Sequence, residues 1–317
     1  MIGRHRHCIA LEDYSREEIL EVLDLAVSMK EVLERPVKKV PTLRGKSVVT
    51  LFFESSTRTR SSFETAAKVL SADTLSWTAA TSSVTKGETL IDTARNLEAM
   101  KPDVLVIRHS ASGAPGLVAR HVACSVVSAG DGAHEHPTQG LLDAFTLREK
   151  LGTLEGKVVA IVGDITHSRV ARSNLHALPK LGAKVRLCGP PTMIPPGMER
   201  LGAKVDHDLR SAVDGADAVI MLRIQHERIG DPLIPGTREY SKLWGLNAKK
   251  AGEWLKPGAL ILHPGPINRG VELSTELADG PRSVILDQVQ NGVAVRMAIL
   301  YLLAGPGEPT SPERAKA

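Results

Sequence analysis

The fold of this chain is decided by the stretch SVVTLFFESSTRTR at residues 47–60. Its first half, residues 47–53, is a largely apolar run rich in β-branched and aromatic side chains, which is typical of a strand buried on both faces. Its second half is polar and charged, and it leads into a helical pattern that we extend to about residue 70. A buried strand followed directly by a polar turn and a helix indicates a βαβ unit.

Similar apolar runs recur along the chain and alternate with helix-like segments. They lie at residues 104–108, 124–128, 158–163, 184–188, 218–222 and 259–262. Such alternation predicts parallel sheets with right-handed crossovers. We therefore predict an α/β fold with two domains, each a parallel sheet flanked by helices, and an active site in the cleft between them.

Two domains are expected because 317 residues are too many for one small core. A helix is predicted at 137–150, after which residues 151–153 open a new strand unit, so we place the boundary near residue 150. The first domain is then 1–150 and the second 151–290. A last apolar helix at about 291–305 is predicted to pack back on the first domain, because it begins after the second sheet has ended.

The composition limits the classes of partner. Lys and Arg number 40 against 36 Asp and Glu, a mild and dispersed excess, and aromatic residues make up only 3%. Neither a basic patch nor a set of stacking platforms is indicated, so we expect no nucleic-acid partner. The three cysteines form no CxxC pair, which favours a reducing compartment. No apolar run reaches 18 residues, so we expect an unprocessed cytoplasmic protein without a membrane partner.

Polar groups follow six of the predicted strands. In an open parallel sheet, ligands bind beyond the carboxyl ends of the strands, so these groups are expected to share one edge. Several of them are cationic, namely Arg58, Arg108, Arg169 and Arg223. A crevice lined in this way favours a ligand with several negative charges.

The segment from Ser56 to Thr59 is the most informative of these. A helix start has backbone N–H groups without partners and a partial positive charge, to which the hydroxyl groups and Arg58 add further donors. The combination predicts a phosphate site, although no GxxxxGK[ST] motif occurs. The alternative is an ordinary Ser/Thr cap with solvated arginines.

His136 immediately precedes Pro137 at a second predicted helix start, and Gln139 follows. In a functional interpretation His136 donates a hydrogen bond to a carbonyl oxygen and Gln139 holds an amide group. The alternative is a surface loop before an ordinary first-turn proline. A metal held by His134 and His136 would lack further ligands at a recognised spacing, so we expect no metal and no cofactor.

The motifs Ser56-Thr57-Arg58-Thr59-Arg60 and His136-Pro137-Thr138-Gln139 resemble the two shared signatures of aspartate and ornithine carbamoyltransferases. The resemblance extends over nearly the whole chain. The stretch HPGPINRG at 263–270 resembles many bacterial aspartate enzymes and lacks the His-Cys-Leu-Pro loop of ornithine enzymes. Residues 82–89 and 222–225 also resemble the mobile loop and the aspartate-binding segment of the aspartate branch.

The resemblance implies an activity and residue roles. It implies transfer of a carbamoyl group from carbamoyl phosphate to L-aspartate, an early step of pyrimidine biosynthesis, with a carbamoyl phosphate-binding first domain and an aspartate-binding second domain. The catalytic residues would be Arg58, Thr59, Arg108 and His136. Carbamoyl phosphate would be bound by Ser56, Thr57, Arg58, Thr59, Arg108, His136, Gln139, Pro264, Gly265 and Pro266. Aspartate would be bound by Lys86, Arg169, Arg223 and Gln225.

The resemblance also implies a homotrimer in which Ser82 and Lys86 reach a neighbouring subunit's site. It leaves open a further assembly with regulatory chains or a dihydroorotase. Three alternatives to this function are carried forward. The first is a carbamoyltransferase for another amine such as ornithine, the second a non-catalytic anion sensor on the same fold. The third is a nicotinamide-dependent dehydrogenase, which Gly163-Asp164 after a strand suggests but the missing GxGxxG motif opposes.

Overall fold

The computed structural model describes residues 2–78, 88–224 and 236–305. The chain divides into two compact units, each made of segments that are separated in the sequence. The first unit comprises Met1–Ile9, Glu17–Asp131 and Val293–Ala317, and the second comprises Ala10–Arg16 and Gly132–Gly292.

This division assigns the helix Pro137–Leu151 to the second unit. Gly140 in that helix lies against Ser173, where an added Cβ atom would come within 2.9 Å of the Ser173 Cβ. Close packing of this kind explains why the helix groups with the residues that follow it. The predicted boundary near residue 150, between a carbamoyl phosphate-binding and an aspartate-binding domain, stays a prediction.

The chain from Arg16 to Asp131 alternates helices and strands. In chain order these are α1 (Arg16–Glu34), β1 (Ser47–Phe52), α2 (Thr57–Val69), β2 (Asp73–Thr78), α3 (Leu90–Ala99), β3 (Val104–His109), α4 (Ala114–Ala119) and β4 (Ser125–Asp131).

The four strands form one parallel sheet in the order β2-β1-β3-β4. Val49 and Leu51 of β1 pack with residues of α3 and α4 on one face, and Val48 and Thr50 are buried on the other. Burial of both faces accounts for the continuous apolar runs that mark β1, β3 and β4 in the sequence.

The chain from Pro137 to Ala304 forms the remaining elements. They are α5 (Pro137–Leu151), β5 (Val158–Val162), α6 (Arg169–Ala177), β6 (Lys184–Cys188), β7 (Lys204–Asp206), α7 (Leu209–Val213), β8 (Ala218–Met221), α8 (Thr237–Leu243), α9 (Ala248–Trp254), β9 (Leu260–Leu262), α10 (Thr275–Ala278) and α11 (Ile285–Ala304).

The second sheet is also parallel, with the order β7-β6-β5-β8-β9. One of its faces packs against α7, α9 and α10 through a cluster that includes Val162, Val219 and Ile261. Residues of α11 from Val293 onward belong to the first unit. There the Arg296 guanidinium lies over the Phe63 ring at 5.1 Å from its centroid.

Two parallel sheets with helical connections confirm the predicted α/β class, and all seven predicted strands are present within about three residues at either end. Two strands were missed, β2 and β7. Both are edge strands with mixed polar and apolar residues, so neither has the continuous apolar run of a central strand. Across the described ranges, no helix is both long and apolar enough to span a membrane.

Candidate active site

Each sheet has a point at which the strand order reverses, and in open α/β sheets ligands bind at such points. In the first sheet the chain moves from β1 outward to β2 and then back to β3 on the other side of β1. Phe52, at the end of β1, is in register with Arg108 of β3. The turn after β1 and the Arg108 side chain therefore belong to the same edge of the sheet.

The turn after β1 carries the predicted phosphate-binding segment. Helix α2 begins at Thr57 with Ser56 as its N-cap, and the Ser56 side chain makes no capping hydrogen bond. Thr57 and Arg58 are exposed, and Ser56 and Thr59 are partly exposed. The hydroxyl groups and the first backbone N–H groups of α2 can therefore serve a ligand.

Arg108 is held in a defined position at this edge. Its Nε donates to Glu54 Oε2 over 3.1 Å, and its Nη1 lies 3.4 Å from the Ala129 carbonyl oxygen. Both side chains of the Arg108–Glu54 pair are mostly buried. The rings of the adjacent His109 and of Phe53 lie 4.7 Å apart between centroids, in a tilted arrangement. Burial lowers the pKa of His109, against the carboxylates of Glu54 and Asp131, which raise it.

In the second sheet the reversal lies between β5 and β8. The Leu222 N–H donates to the Val162 carbonyl over 2.8 Å, so the segments after these two strands leave the sheet side by side. Gly163 has a φ of +135°, and an added Cβ would come within 2.9 Å of Leu222 Cβ. Only glycine allows this close approach without a shift of the backbone.

The predicted aspartate-binding arginines follow these two strands. Arg169 is the first residue of α6 and is buried, while Arg223 follows β8 and is partly buried. Asp164, which is fully buried, accepts a hydrogen bond from the His167 N–H and lies 3.0 Å from His167 Nδ1. The prediction that both arginines follow strands of one sheet is confirmed.

The start of α5 is organised by buried polar contacts. His136 is the N-cap residue, and its backbone N–H donates to Ser173 Oγ over 2.9 Å. Ser173 Oγ in turn donates to Glu135 Oε2 over 2.7 Å. The Glu135 carboxylate also accepts the N–H groups of Leu11 and Glu12, at 3.0 and 3.1 Å. The His136 backbone is thereby fixed before any ligand arrives.

Gln139 lies on the first turn of α5 and is held by the next turn. Its Nε2 donates to Asp143 Oδ1 over 2.9 Å, and both residues are buried. An i,i+4 spacing on a helix places two such side chains on one face. The amide oxygen of Gln139 remains as an acceptor.

The loop after β9 contains the predicted residues Pro264, Gly265 and Pro266, with a cis peptide bond between the last two. The preceding His263 is fully enclosed, and its Nδ1 accepts the Gly265 N–H over 2.8 Å. Its Nε2 lies 3.1 Å from Glu272 Oε1. Because Nδ1 accepts, the neutral ring carries its proton on Nε2 and donates it to Glu272.

Three predicted residues, Ser82, Lys86 and Gln225, lie outside the described residues. The structure brings the others together in sets. Ser56–Thr59 and Arg108 share one sheet edge, Arg169 and Arg223 share another, and Gln139 is linked to the β9 loop through the Gln288 side chain. Within the described parts of the chain, no group of three or more His, Cys, Asp or Glu residues could hold a metal ion.

The sequence interpretation assigned no role to several buried or partly buried polar residues next to these sets. They are Glu54, Glu135, Asp143, Ser173, Asn174, Glu272 and Gln288. Asp143 could have been found from its helical spacing to Gln139. Gln288 and Ser173 are far in sequence from their partners and carry no local signal.

Comparisons with known proteins agree with this arrangement. The profile of the aspartate/ornithine carbamoyltransferase carbamoyl-P binding domain matches residues 6–149, and that of the Asp/Orn binding domain matches residues 155–303. The chain is 83% identical over its full length to the whole aspartate carbamoyltransferase catalytic subunit of Anaeromyxobacter sp. (strain Fw109-5). It is 62% identical to the same subunit of Geobacter sulfurreducens, over 95% of this chain and 97% of that one.

Solved structures give the same result. The aspartate transcarbamoylase of Trypanosoma cruzi in complex with carbamoyl phosphate and aspartate has a TM-score of 0.85 and 30% identity, covering 93% of this chain and 95% of that one. The ornithine carbamoyltransferase of Thermus thermophilus has a TM-score of 0.83 and 30% identity, covering 95% and 99%. The fold is that of a carbamoyl-group transferase, and the chain belongs to the aspartate/ornithine carbamoyltransferase family.

Proposed function

We propose that the chain transfers the carbamoyl group of carbamoyl phosphate to the α-amine of L-aspartate, forming N-carbamoyl-L-aspartate and phosphate. One observation carries the proposal: in each sheet, arginine side chains lie at or after the ends of the strands at which the strand order reverses. Two anionic substrates need two such cationic sites. The relatives of 83–86% identity are aspartate carbamoyltransferase catalytic subunits by name, which supports the same activity.

The phosphate group is assigned to Ser56, Thr57, Arg58 and Thr59. These residues supply the start of a helix, three hydroxyl groups and one guanidinium, which together suit a dianion. Arg108 bridges the phosphate and the carbonyl oxygen in this proposal. The profile that covers these residues is that of a carbamoyl-P binding domain, and it also includes His136 and Gln139.

The carbonyl oxygen of carbamoyl phosphate is assigned to Thr59, Arg108 and His136, and its amide group to Gln139 and the backbone carbonyl groups at Pro264–Pro266. Aspartate is assigned to Arg169 and Arg223, together with Lys86 and Gln225. Two guanidinium groups suit the two carboxylates of aspartate, since each can bind one in a bidentate manner.

The chemistry follows from these roles. The neutral amine of aspartate attacks the carbamoyl carbon, and the carbonyl oxygen becomes an oxyanion that Thr59, Arg108 and His136 stabilise. The carbon–oxygen bond to phosphate then breaks. The leaving phosphate takes the proton that the amine nitrogen loses, so no side-chain base is needed. Fixing two small anions together supplies much of the acceleration.

Ornithine is the second candidate for the amine substrate, because the ornithine carbamoyltransferase of Thermus thermophilus is structurally almost as similar as the aspartate enzyme. The residues favour aspartate, since ornithine has one carboxylate and a second amine, which would not suit paired arginines. Measuring phosphate release from carbamoyl phosphate with L-aspartate, with L-ornithine and with neither discriminates between them. We expect release only with L-aspartate, and saturation by ornithine alone would refute the assignment.

The aspartate assignment has a direct test in Arg223→Ala. We expect the KM for aspartate to rise by about 100-fold, because a charge-assisted pair contributes roughly 1.5–3 kcal/mol, while the KM for carbamoyl phosphate changes little. Arg210→Ala, which removes an exposed arginine of α7, is the matched control. An equal rise in both KM values would contradict the assignment.

A catalytic homotrimer in the cytoplasm completes the proposal. All three cysteines are buried and none forms a disulfide bond, which supports a reducing compartment. In the trimer Ser82 and Lys86 would act in a neighbouring subunit's site. A mass measurement of the purified assembly tests the trimer and shows whether regulatory chains or a dihydroorotase co-purify from the native source.

A further inference from the structure

A buried series of amide side chains and one carboxylate joins the start of α5 to the loop after β9. It consists of Gln139, Asp143, Asn174 and Gln288, all of which lie in the second unit. Each is at most 8% exposed. Hydrogen bonds between buried polar groups restrict their geometry, because a rotated side chain leaves one of these donors or acceptors unsatisfied.

The orientation of Gln288 is set by the protein backbone. The His263 N–H donates to Gln288 Oε1 over 2.9 Å. A backbone N–H can only donate, so the atom of Gln288 that faces it must be the amide oxygen. The NH₂ group of Gln288 therefore points the other way, where it lies 2.7 Å from Asp143 Oδ1.

The orientation of Gln139 is set by Asp143. A carboxylate only accepts hydrogen bonds, so Asp143 Oδ1 accepts from Gln288 Nε2 and also from Gln139 Nε2, which lies 2.9 Å away. Asn174 Nδ2 donates to Asp143 Oδ2 over 2.8 Å. Gln139 must thus present its NH₂ group to Asp143, and its amide oxygen is directed away from the carboxylate.

Gln288 also fixes the other side of the series. Gln288 Oε1 accepts the N–H of His263, the residue directly before Pro264. The His263 ring in turn accepts the Gly265 N–H over 2.8 Å. The directions of the Pro264 and Gly265 carbonyl groups therefore depend on the same amide that orients Gln139.

We propose that Asp143 and Gln288 are positioning residues that make Gln139 and the Pro264–Gly265 backbone present acceptors, and not donors, to the NH₂ group of carbamoyl phosphate. The inference rests on the proposed function for its substrate. A carbamoyl NH₂ group has two donors and needs two acceptors, whereas a methyl group in its place needs none. Acetyl phosphate, which carries that methyl group, is therefore a probe that the positioning pair does not affect.

The test compares Gln288→Ala with Asn291→Ala. Asn291 is a buried amide one turn further along α11, and its Nδ2 lies 3.0 Å from both Thr146 Oγ1 and Glu149 Oε2, neither of which belongs to the series. We expect Gln288→Ala to raise the KM for carbamoyl phosphate about tenfold, with little change in the inhibition constants of acetyl phosphate and inorganic phosphate. Asn291→Ala should leave all three constants near the wild-type values.

A second variant keeps the inference testable if Gln288→Ala does not fold. In Asp143→Asn/Gln288→Glu the hydrogen bonds of the series described above can all be made again, but only if Gln139 inverts and turns its NH₂ group towards the substrate. We expect this variant to keep the raised KM for carbamoyl phosphate. Two results would overturn this inference and leave the proposed function intact. One is a wild-type KM in the double variant, and the other is a parallel rise in the acetyl phosphate constant in Gln288→Ala. A wild-type protein that forms no carbamoyl-aspartate would overturn the proposed function as well.

Discussion

Two helix starts of this protein, those of α2 and α5, carry signature residues and differ in how those residues are held. At the start of α2, Thr57 and Arg58 are exposed, and Ser56 makes no side-chain capping bond. At the start of α5, every residue from Pro137 to Leu147 is buried, and His136 and Gln139 are bonded to Ser173 and Asp143.

The difference indicates two ways of preparing a site. The Ser56 side chain makes no capping bond and the first residues of α2 reach solvent, so a phosphate group can accept hydrogen bonds from this helix start. The groups at the start of α5 already have protein partners, which fix their direction. This arrangement requires several polar groups to be buried, and losing one partner leaves another without its hydrogen bond. Substitutions at α2 should therefore reduce activity and leave stability unchanged, whereas substitutions around α5 should also change stability.

The largest effect is expected for Arg58→Ala. Loss of a charged donor to the phosphate should lower kcat/KM by on the order of 10³, with a thermal melting curve like that of the wild type because Arg58 is exposed. Arg60→Ala is the control, since Arg60 lies 3.7 Å from Glu64 on the same helix and should lose far less activity. Near-normal turnover of Arg58→Ala would rule out the phosphate assignment.

His136→Ala should lower kcat by about 10², because it removes one donor to the developing oxyanion. The backbone bond of residue 136 to Ser173 remains, so stability should fall only slightly. His134→Ala, two residues earlier, should keep most of the activity. Similar losses in the two variants would show that the imidazole of residue 136 has no special role.

Ser173→Ala should destabilise the protein by about 1–3 kcal/mol. The change leaves the His136 N–H without its acceptor and the buried Glu135 carboxylate with one donor fewer. Ser62→Ala is the matched control on α2, where the hydroxyl donates to the Thr59 carbonyl of the same helix, and should change stability by less than about 0.5 kcal/mol. Urea unfolding midpoints of the two variants measure the difference, and equal shifts would remove the contrast between the two regions.

The smallest effect is expected for Gly140→Ala. Its new Cβ would lie 2.9 Å from Leu11 Cδ1 and from Ser173 Cβ, and overpacking costs about 1–3 kcal/mol, partly offset by the better helix propensity of alanine. Gly116→Ala in α4 meets only an ordinary contact at 3.7 Å. Thermal melting should show a lower Tm for the first variant and an unchanged or higher Tm for the second. A rise in both would mean that α5 is not tightly packed.

The same contrast explains what could be predicted from the sequence. The site at α2 was predicted because all its donors follow one strand within a few residues, and the apolar run of β1 marks that strand. The central strands were predicted for the same reason. The edge strands β2 and β7 were missed because part of each faces solvent, so hydrophobicity does not mark them.

The polar support of α5 was not predicted, because it depends on pairs that are distant in sequence. Gln288 and Asp143 are separated by 145 positions, and Ser173 and His136 by 37. No periodicity or motif relates such residues, and their pairing is a consequence of the completed fold. His136 and Gln139 were predicted from their motif, whereas the residues that orient them became evident only from the structure.

Each unit is built from segments that are separated in sequence, so the order of synthesis decides when each unit can be completed. The polypeptide passes between the units four times, after Ile9, Arg16, Asp131 and Gly292. The stretch with Arg296, whose guanidinium covers the Phe63 ring, is translated after the whole of the second unit. The first unit is therefore completed only after the second unit has been translated, and a gene cut after Asp131 would encode a fragment that lacks part of its own core.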